Sequence, residues 1–314
     1  MESLLASCHE GPVEVSHSGV SFRAQAAPHR YLAYGTRILS EVELWPGERA
    51  VIGDDWRDDV RVVARASGRA KPRPSAASPN LAHFEWPGFA EIWVQNGRRI
   101  ALSIAADADR SEIAAAVSGP ALATALGQRG LLVLHGTCVA FGERAVCLLG
   151  DSGMGKSTLA AALCARGGAL VSDTMTVVDL AQGTPLVRVG PARFKLWPDA
   201  ASMLGWDPEV LPGAAPGSDK RVCVFRGKMA PPGVTLDRIF LLSANGPVSS
   251  AAVTPAAAVV AVLRNHFLSA FLGFEQLKHW LPRCARLVES TTVRTLCRGQ
   301  SLTDLQDAVR LLCD

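Results

Sequence analysis

The stretch Leu148–Leu163, "LLGDSGMGKSTLAAAL", decides how the chain is read. Gly150 to Ser157 has the form G-x-x-x-x-G-K-[ST], set between an apolar run and an alanine-rich segment of helical composition. Glycines let such a loop curl so that backbone N–H groups point at phosphate oxygens. The positive end of the helix that follows adds to the field. Lys156 would reach the outer phosphates of a nucleotide, and the Ser157 hydroxyl would bind Mg²⁺. The expected nucleotide contacts are therefore Gly150, Asp151, Ser152, Gly153, Met154, Gly155, Lys156, Ser157 and Thr158. A glycine-rich turn with no ligand would leave Lys156 unexplained. The loop alone does not say whether the terminal phosphate is hydrolysed, transferred or sensed.

Outward from the loop, "LLVLHG" and "RAVCLLG" precede it, and "GALVSD", "TMTVVDL" and "LVRVG" follow. These are short apolar strands in quick succession with only one helix among them. A mixed sheet is expected, in an α/β (α+β) fold, rather than a regular βαβ alternation. "LDRIFLL" is a further buried strand. A helix is expected after Thr254 (N-cap) and Pro255 (first turn), and another after Ser301, whose partner would be Asp304.

The first third reads as strands: "GVSFRA", "RYLAYGTRIL", "RVVARA" and "EIWVQNGRRIALSI". Asn96-Gly97 in the last is a hairpin signal, because both turn positions need positive φ. The proline-rich "KPRPSAASPN", Lys71 to Asn80, suits an exposed loop. Residues 1–110 are read as a small mostly-β domain and 111–314 as the domain carrying the loop. "SEIAAAVSGPALATALGQRG" opens the second with helical composition interrupted at Gly119-Pro120.

At 314 residues the chain is long for one core, and 48% of it is apolar. A net charge of +3 with scattered basic residues argues against a nucleic-acid partner. No window is apolar enough to span a membrane. The eight cysteines include no Cys-x-x-Cys pair, and several lie in apolar runs. The start, "MESLLASC", lacks a basic n-region and a long apolar stretch. A cytoplasmic protein with unpaired, structural cysteines is expected. Self-association into a homo-oligomer is left open.

Phosphoryl transfer also needs a carboxylate near the metal or the attacking hydroxyl. Asp173 ends "ALVS" just after the loop's helix, where a strand could lie beside the loop's own strand. It could equally be a turn aspartate. Asp179 and Asp237 more naturally end or cap strands. His135 closes another apolar run, as a structural or a catalytic histidine. Arg193, Lys195, Lys220 and Arg221 could offset charge on a transferring phosphoryl group, or could simply cover Trp197.

Together, "LHG" (134–136), "LLGDSGMGKSTL" (148–159) and "LVSD" (170–173) resemble the catalytic domain of HPr kinase/phosphorylase, over about residues 130–180. "YLAYGTRILSEVELWP" (31–46), "GPALATALGQRGLLVLH" (119–135) and "RFKLWPD" (193–199) extend this in patches. They are similar to the HPr-kinase-like proteins of lasso-peptide biosynthesis. The resemblance implies a phosphoenolpyruvate-carboxykinase-like fold and an ATP-dependent kinase that phosphorylates a serine of a precursor peptide or small protein. It implies Asp173 as the base for the attacking hydroxyl and as a metal-side group, with Lys156, Ser157 and His135 around it. The sequence departs from the family's Asp-Asp pair at Thr174. That departure motivates a second reading, a nucleotide-binding scaffold or sensor with weak transferase activity. A third reading is a kinase for HPr itself or a small metabolite.

Overall fold

The structure is a computed structural model and describes residues 28–48, 57–66, 77–78, 80–215, 217–273 and 277–313. Cys8, "GVSFRA" and most of the proline-rich stretch 71–80 lie outside the described residues. Seven strands form the first sheet: β1 (His29–Ala33), β2 (Thr36–Ser40), β3 (Val60–Ala66), β4 (Ala77–Ser78), β5 (Leu81–Trp86), β6 (Ala90–Gln95) and β7 (Arg99–Ile104), in spatial order β1-β2-β3-β7-β6-β5-β4. Residues alternate buried and half-buried along β2, β6 and β7, so one face carries the core. "RYLAYGTRIL" is two strands, not one. They are joined by a tight turn in which Tyr34 (φ 54) and Gly35 (φ 64) are both left-handed. The Asn96-Gly97 turn forms as expected, with φ 54 and 63.

Beneath this sheet lie α1 (Arg110–Ala116), capped by the Asp109 carboxylate, and α2 (Leu122–Gln128). Between them residues 117–121 make a wider turn in which Gly119 leaves helical geometry (φ −99, ψ −105) and Pro120 sits inside. The interruption falls where the Gly-Pro pair places it. Ile92, Ile100, Leu122 and Leu126 fill a core that continues into Val133, Met175 and Val177. The first sheet thus shares buried side chains with the strands that follow.

These are β8 (Leu132–Leu134), β9 (Gly136–Phe141), β10 (Arg144–Leu149), β11 (Ala169–Ser172), β12 (Thr176–Asp179) and β13 (Leu186–Arg188). The helix α3 (Lys156–Ala165) follows the glycine-rich loop. Then come β14 (Arg193–Leu196), α4 (Pro198–Met203), β15 (Arg221–Val224), β16 (Val234–Ser243), β17 (Ser249–Ala252), α5 (Pro255–Arg264), α6 (Leu281–Ser290), β18 (Thr292–Cys297) and α7 (Leu302–Cys313). The second sheet runs β11-β9-β10-β16-β13-β12-β8, with β18 on β16 and β17 on β18. Only β10–β16 and β16–β18 are parallel, so the sheet is mixed as expected.

Its two faces are both covered. Along β10, Ala145, Cys147 and Leu149 face a core closed by α5 and α6, while Val146 and Leu148 face one closed by α3 and α7. That burial on both faces explains why the strand reads as a continuous apolar run. At α7, Ser301 Oγ accepts from Asp304 N–H (3.0 Å) and Asp304 accepts from Ser301 N–H (2.9 Å), the reciprocal cap with aspartate in glutamate's place. At α5 Pro255 opens the helix, but the Thr254 hydroxyl makes no cap hydrogen bond. Asp237 lies within β16 and pairs with Arg144 instead of ending the strand.

The order places the site. β10 and β11 both end at one edge of the sheet, and β9 lies antiparallel between them, starting where they stop. A strand directly beside the loop strand was expected to carry Asp173; β9 is interposed. Gly136, opposite Leu149, permits this closeness. A Cβ there would sit 2.6 Å from Leu149 Cδ2 and 2.9 Å from the Leu148 carbonyl. Gly136→Ala should therefore cost about 1–3 kcal/mol of stability. It should read as a lower urea midpoint at unchanged slope.

Candidate functional site

Gly155 (φ 80) ends the glycine-rich loop as the N-cap of α3 and offers no capping side chain. The first-turn N–H groups, with no acidic residue among them, therefore face outward unsatisfied by a cap, as an anion site requires. Lys156 is buried and folds back over the loop. Its ammonium donates to the carbonyls of Gly150 (2.5 Å) and Asp151 (2.9 Å), leaving one N–H unused.

Asp173 is the centre of the arrangement. Its Oδ1 accepts from Ser157 Oγ and from Thr137 Oγ1, each at 2.7 Å. Its Oδ2 accepts from the Lys195 backbone N–H at 2.8 Å and, at 3.5 Å, from the Thr174 hydroxyl. Two short bonds saturate Oδ1, while Oδ2 has one short and one long bond, and Asp173 lines a cavity. Asp173 is thus no free turn aspartate. Its backbone is drawn into a three-residue turn, Met175 N–H to Asp173 C=O at 2.8 Å, with Thr174 between them at φ 70. A β-branched residue in that region is strained.

The cavity, of about 450 Å³, is walled by the loop's start (Gly150 to Ser152), by His135, Asp173 and Thr174, and by the interrupted helix at Ser118 to Pro120. The first sheet supplies Tyr34 and Trp45. Of the three non-glycine residues with positive φ among those described, Tyr34 and Thr174 both line it. Backbone strain concentrates at functional sites.

Charge is distributed unevenly. Burial and then Lys220 hold Lys156 below its ordinary pKa, against Asp173 and Asp151. Burial does the same to Lys195, with Arg193 and Lys220 adding to it and Asp173 opposing. His135 is lowered to about 4 by burial and by Lys156, so it is neutral at pH 7. Tyr34 is held well above the ordinary phenol value by burial, Asp173 and Glu48. The site is short of negative charge and suits an incoming polyanion.

The proposed cations divide. Lys195 lines the cavity. Arg193 also lines it but is bound to Glu48 (2.8 Å) and the Pro46 carbonyl (3.3 Å), tying the first sheet's extension to the site. Lys220 lies over Trp197, 5.5 Å from the ring centre, close enough to act electrostatically on Lys156. Arg221 donates to the Pro208 and Asp219 carbonyls and does not line the cavity. Asp179 ends β12 as expected, paired with Arg188.

Besides Tyr34, Trp45 and Thr137, three residues from beyond β16 were missed from sequence. Asn265, just past α5, accepts from Gly150 N–H (2.9 Å) and through its carbonyl from His135 N–H (2.7 Å), joining the loop to the β8–β9 junction. Arg298 donates to the Met154 carbonyl (2.7 Å) and packs where a Gly155 side chain would stand. Arg264 also lines the cavity. A helix C-terminus and a strand end carry no sequence signal for such roles.

Mg²⁺ keeps waters and phosphate oxygens and takes only one or two protein groups. Ser157 Oγ is a hard oxygen donor that fits that demand directly, and Asp173, whose Oδ1 already accepts that hydroxyl's hydrogen and Thr137's, would stand behind it. No group of three or more His, Cys, Asp or Glu among the described residues could hold a metal by itself. Cys138, Cys147, Cys164, Cys223, Cys284 and Cys297 form no disulfide. No described helix is long and apolar enough to cross a membrane.

His135 and the buried His266 are both lowered to about 4, chiefly by burial. An unfolded imidazole titrates near 6.5. Between these values the unfolded chain takes up protons that the folded chain refuses, so stability is full above pH 6.5 and falls as pH drops toward 4. Urea midpoints should fall between pH 7.5 and 5, and His266→Gln should flatten that dependence.

No protein-family model matches the chain, and no curated protein matches it. Among solved structures it is similar to the HPr(Ser) kinase/phosphatase from Coxiella burnetii, with 11% identity and a TM-score of 0.28, covering 58% of this chain and 94% of that chain. A likeness of that size carries no argument, and the chemistry of the site stands on its own residues.

Proposed function

We propose that the protein is an ATP-dependent phosphotransferase that moves the γ-phosphoryl group onto a hydroxyl, namely a serine of a peptide or small protein. A lasso-peptide precursor is the acceptor the sequence patches favour. The observation that carries this reading is the Ser157–Asp173 hydrogen bond (2.7 Å). It sets the loop's hydroxyl on a carboxylate that also lines the cavity of about 450 Å³.

Roles follow from geometry. The first-turn N–H groups of α3 and the ammonium of Lys156 hold the phosphates. Ser157 Oγ would hold Mg²⁺ with Asp173 behind it, and the ion would offset charge on the phosphates. Asp173 Oδ2, whose cavity side meets only the long Thr174 contact, accepts the proton of the attacking hydroxyl. Lys195 offsets charge developing on the transferred group. His135, neutral at pH 7, adds no further positive charge and orients by hydrogen bonding. Trp45 and Tyr34 close the cavity on the acceptor's side and exclude water, which favours transfer over hydrolysis.

One observation supports the scaffold reading: Thr174, whose hydroxyl is 3.5 Å from Asp173 Oδ2, stands where a second carboxylate would be. Thr174→Asp separates the two. Aspartate tolerates positive φ better than threonine, so the variant should fold at least as well. A gain of about 100-fold in transfer would mark the parent as a weakened enzyme; little change would mean that one carboxylate suffices.

The direct test is mass spectrometry of candidate peptides, including one encoded beside this gene, after incubation with the protein and Mg·ATP. One added phosphate per peptide is expected. Asp173→Asn should lower the rate by about 10²–10⁴-fold while calorimetry shows nucleotide still bound. Transfer by that variant at the parental rate would remove Asp173 as the base.

A further inference from the structure

A second cleft, of about 790 Å³, opens on the other side of the Tyr34–Gly35 turn, and Tyr34 lines both spaces. Five arginines line it: Arg98 from the β6–β7 turn, Arg129 after α2, Arg188 on β13, and Arg283 and Arg286 on α6. Asp179, bonded to Arg188, is the single carboxylate among the lining residues. Arg129 donates to the Asp59 carbonyl (3.4 Å) and stands 3.9 Å from the Asp59 carboxylate, which Arg37 holds at 3.2 Å. Arg283 rests on the Trp280 ring. Arg98 and Arg286 are exposed and have no side-chain partner among the described residues, and the buried Nε of Arg188 has none either.

The lining therefore carries an excess of four positive charges, more than the +3 of the whole chain. Exposed like charges gathered on one concave surface repel one another, and an anionic partner relieves that repulsion. Guanidinium groups match carboxylates and phosphates bidentately. A single phosphate needs donors that converge on one point. Here the donors are long side chains spread over four segments around an open mouth, which suits several carboxylates spaced along a chain.

We propose that this cleft docks an acidic segment of the acceptor polypeptide, apart from the cavity that takes its hydroxyl. The identity of the partner rests on the phosphotransfer reading. The shared wall at Tyr34 lets one polypeptide occupy both spaces, with its acidic residues in the arginine cleft and its acceptor on the Asp173 side.

The test uses the full chain and a fluorescein-labelled decapeptide of glutamate, followed by fluorescence anisotropy. The parent should bind it, and binding should weaken several-fold between 50 and 200 mM salt, as screening of exposed charge requires (about 10 Å at 0.1 M). Arg283→Glu/Arg286→Glu should lose at least about ten-fold in affinity with nucleotide binding unchanged, and Arg98→Glu, on a different element, should weaken it as well. Equal binding by the parent and the double variant overturns the proposal. So does failure of the parent to bind the decapeptide, whether or not it binds tripolyphosphate or an oligonucleotide. Arginine-dependent binding without phosphorylation of any acceptor would sink the transferase reading and leave the docking site. Equal phosphorylation of acceptors with and without acidic residues would do the reverse.

Discussion

One carboxylate oxygen, Asp173 Oδ1, receives hydroxyl hydrogens from two segments that lie 36 and 16 residues away in the chain. A nearly buried carboxylate is tolerated only when its lone pairs are met. Meeting them forces Thr137, at the start of β9, and Ser157, in the first turn of α3, to the same edge of the sheet. The antiparallel entry of β9 between β10 and β11 satisfies this, because it brings a strand's beginning beside two strand ends. The Lys195 N–H on Oδ2 then fixes β14 to the same group. Loop, sheet edge and outer strand pair are thereby held around one charge.

The first sheet belongs to that arrangement as well. Glu48 holds Arg193, and the Tyr34 ring packs where a side chain on Gly190 would collide. Tyr34 N–H is bonded to the Val189 carbonyl at 2.6 Å. A turn that places an aromatic residue at φ 54 is a poor choice for stability alone. It becomes intelligible when the aromatic ring must close a cavity built by the other sheet. Thr174 tells the same story from the opposite wall. Both strained residues are held by well-packed neighbours, so the strain is supported by the core instead of relaxing it.

What was legible in the sequence was local. The glycine-rich loop, the interruption at Gly119-Pro120, the Asn96-Gly97 turn and the Ser301/Asp304 cap each depend on residues a few positions apart, and each formed. Asp173 could be suspected because it ended an apolar run, but its hydrogen bonds to Thr137 and Ser157 depend on strand order, which local pattern does not encode. Asn265, Arg298, Tyr34 and Trp45 reach the site from distant segments and carry no motif. Arg193 shows the converse: the sequence offered it as a cation for the phosphoryl group or as cover for Trp197, whereas Glu48, 145 residues away, engages it. Thr254 failed as a side-chain cap although its position at the helix start was right, since a start signal fixes backbone direction and not rotamer.

The distribution of cations links folding to function. Around Asp173, burial above all, with neighbouring positive charge adding to it, holds Lys156 and Lys195 below the ordinary lysine value and keeps His135 uncharged at pH 7. Burying such charge opposes folding, and a polyanion at the loop would relieve it. In the second cleft Arg98, Arg129, Arg283 and Arg286 are exposed and always charged, so they oppose folding far less. On the proposed reading the two positive regions have different tasks. The buried one would take a compact, highly charged ligand whose reacting bonds must be kept from water, and the exposed one a longer, weaker, salt-sensitive contact. Tyr34, standing between them, separates the two environments with one neutral ring.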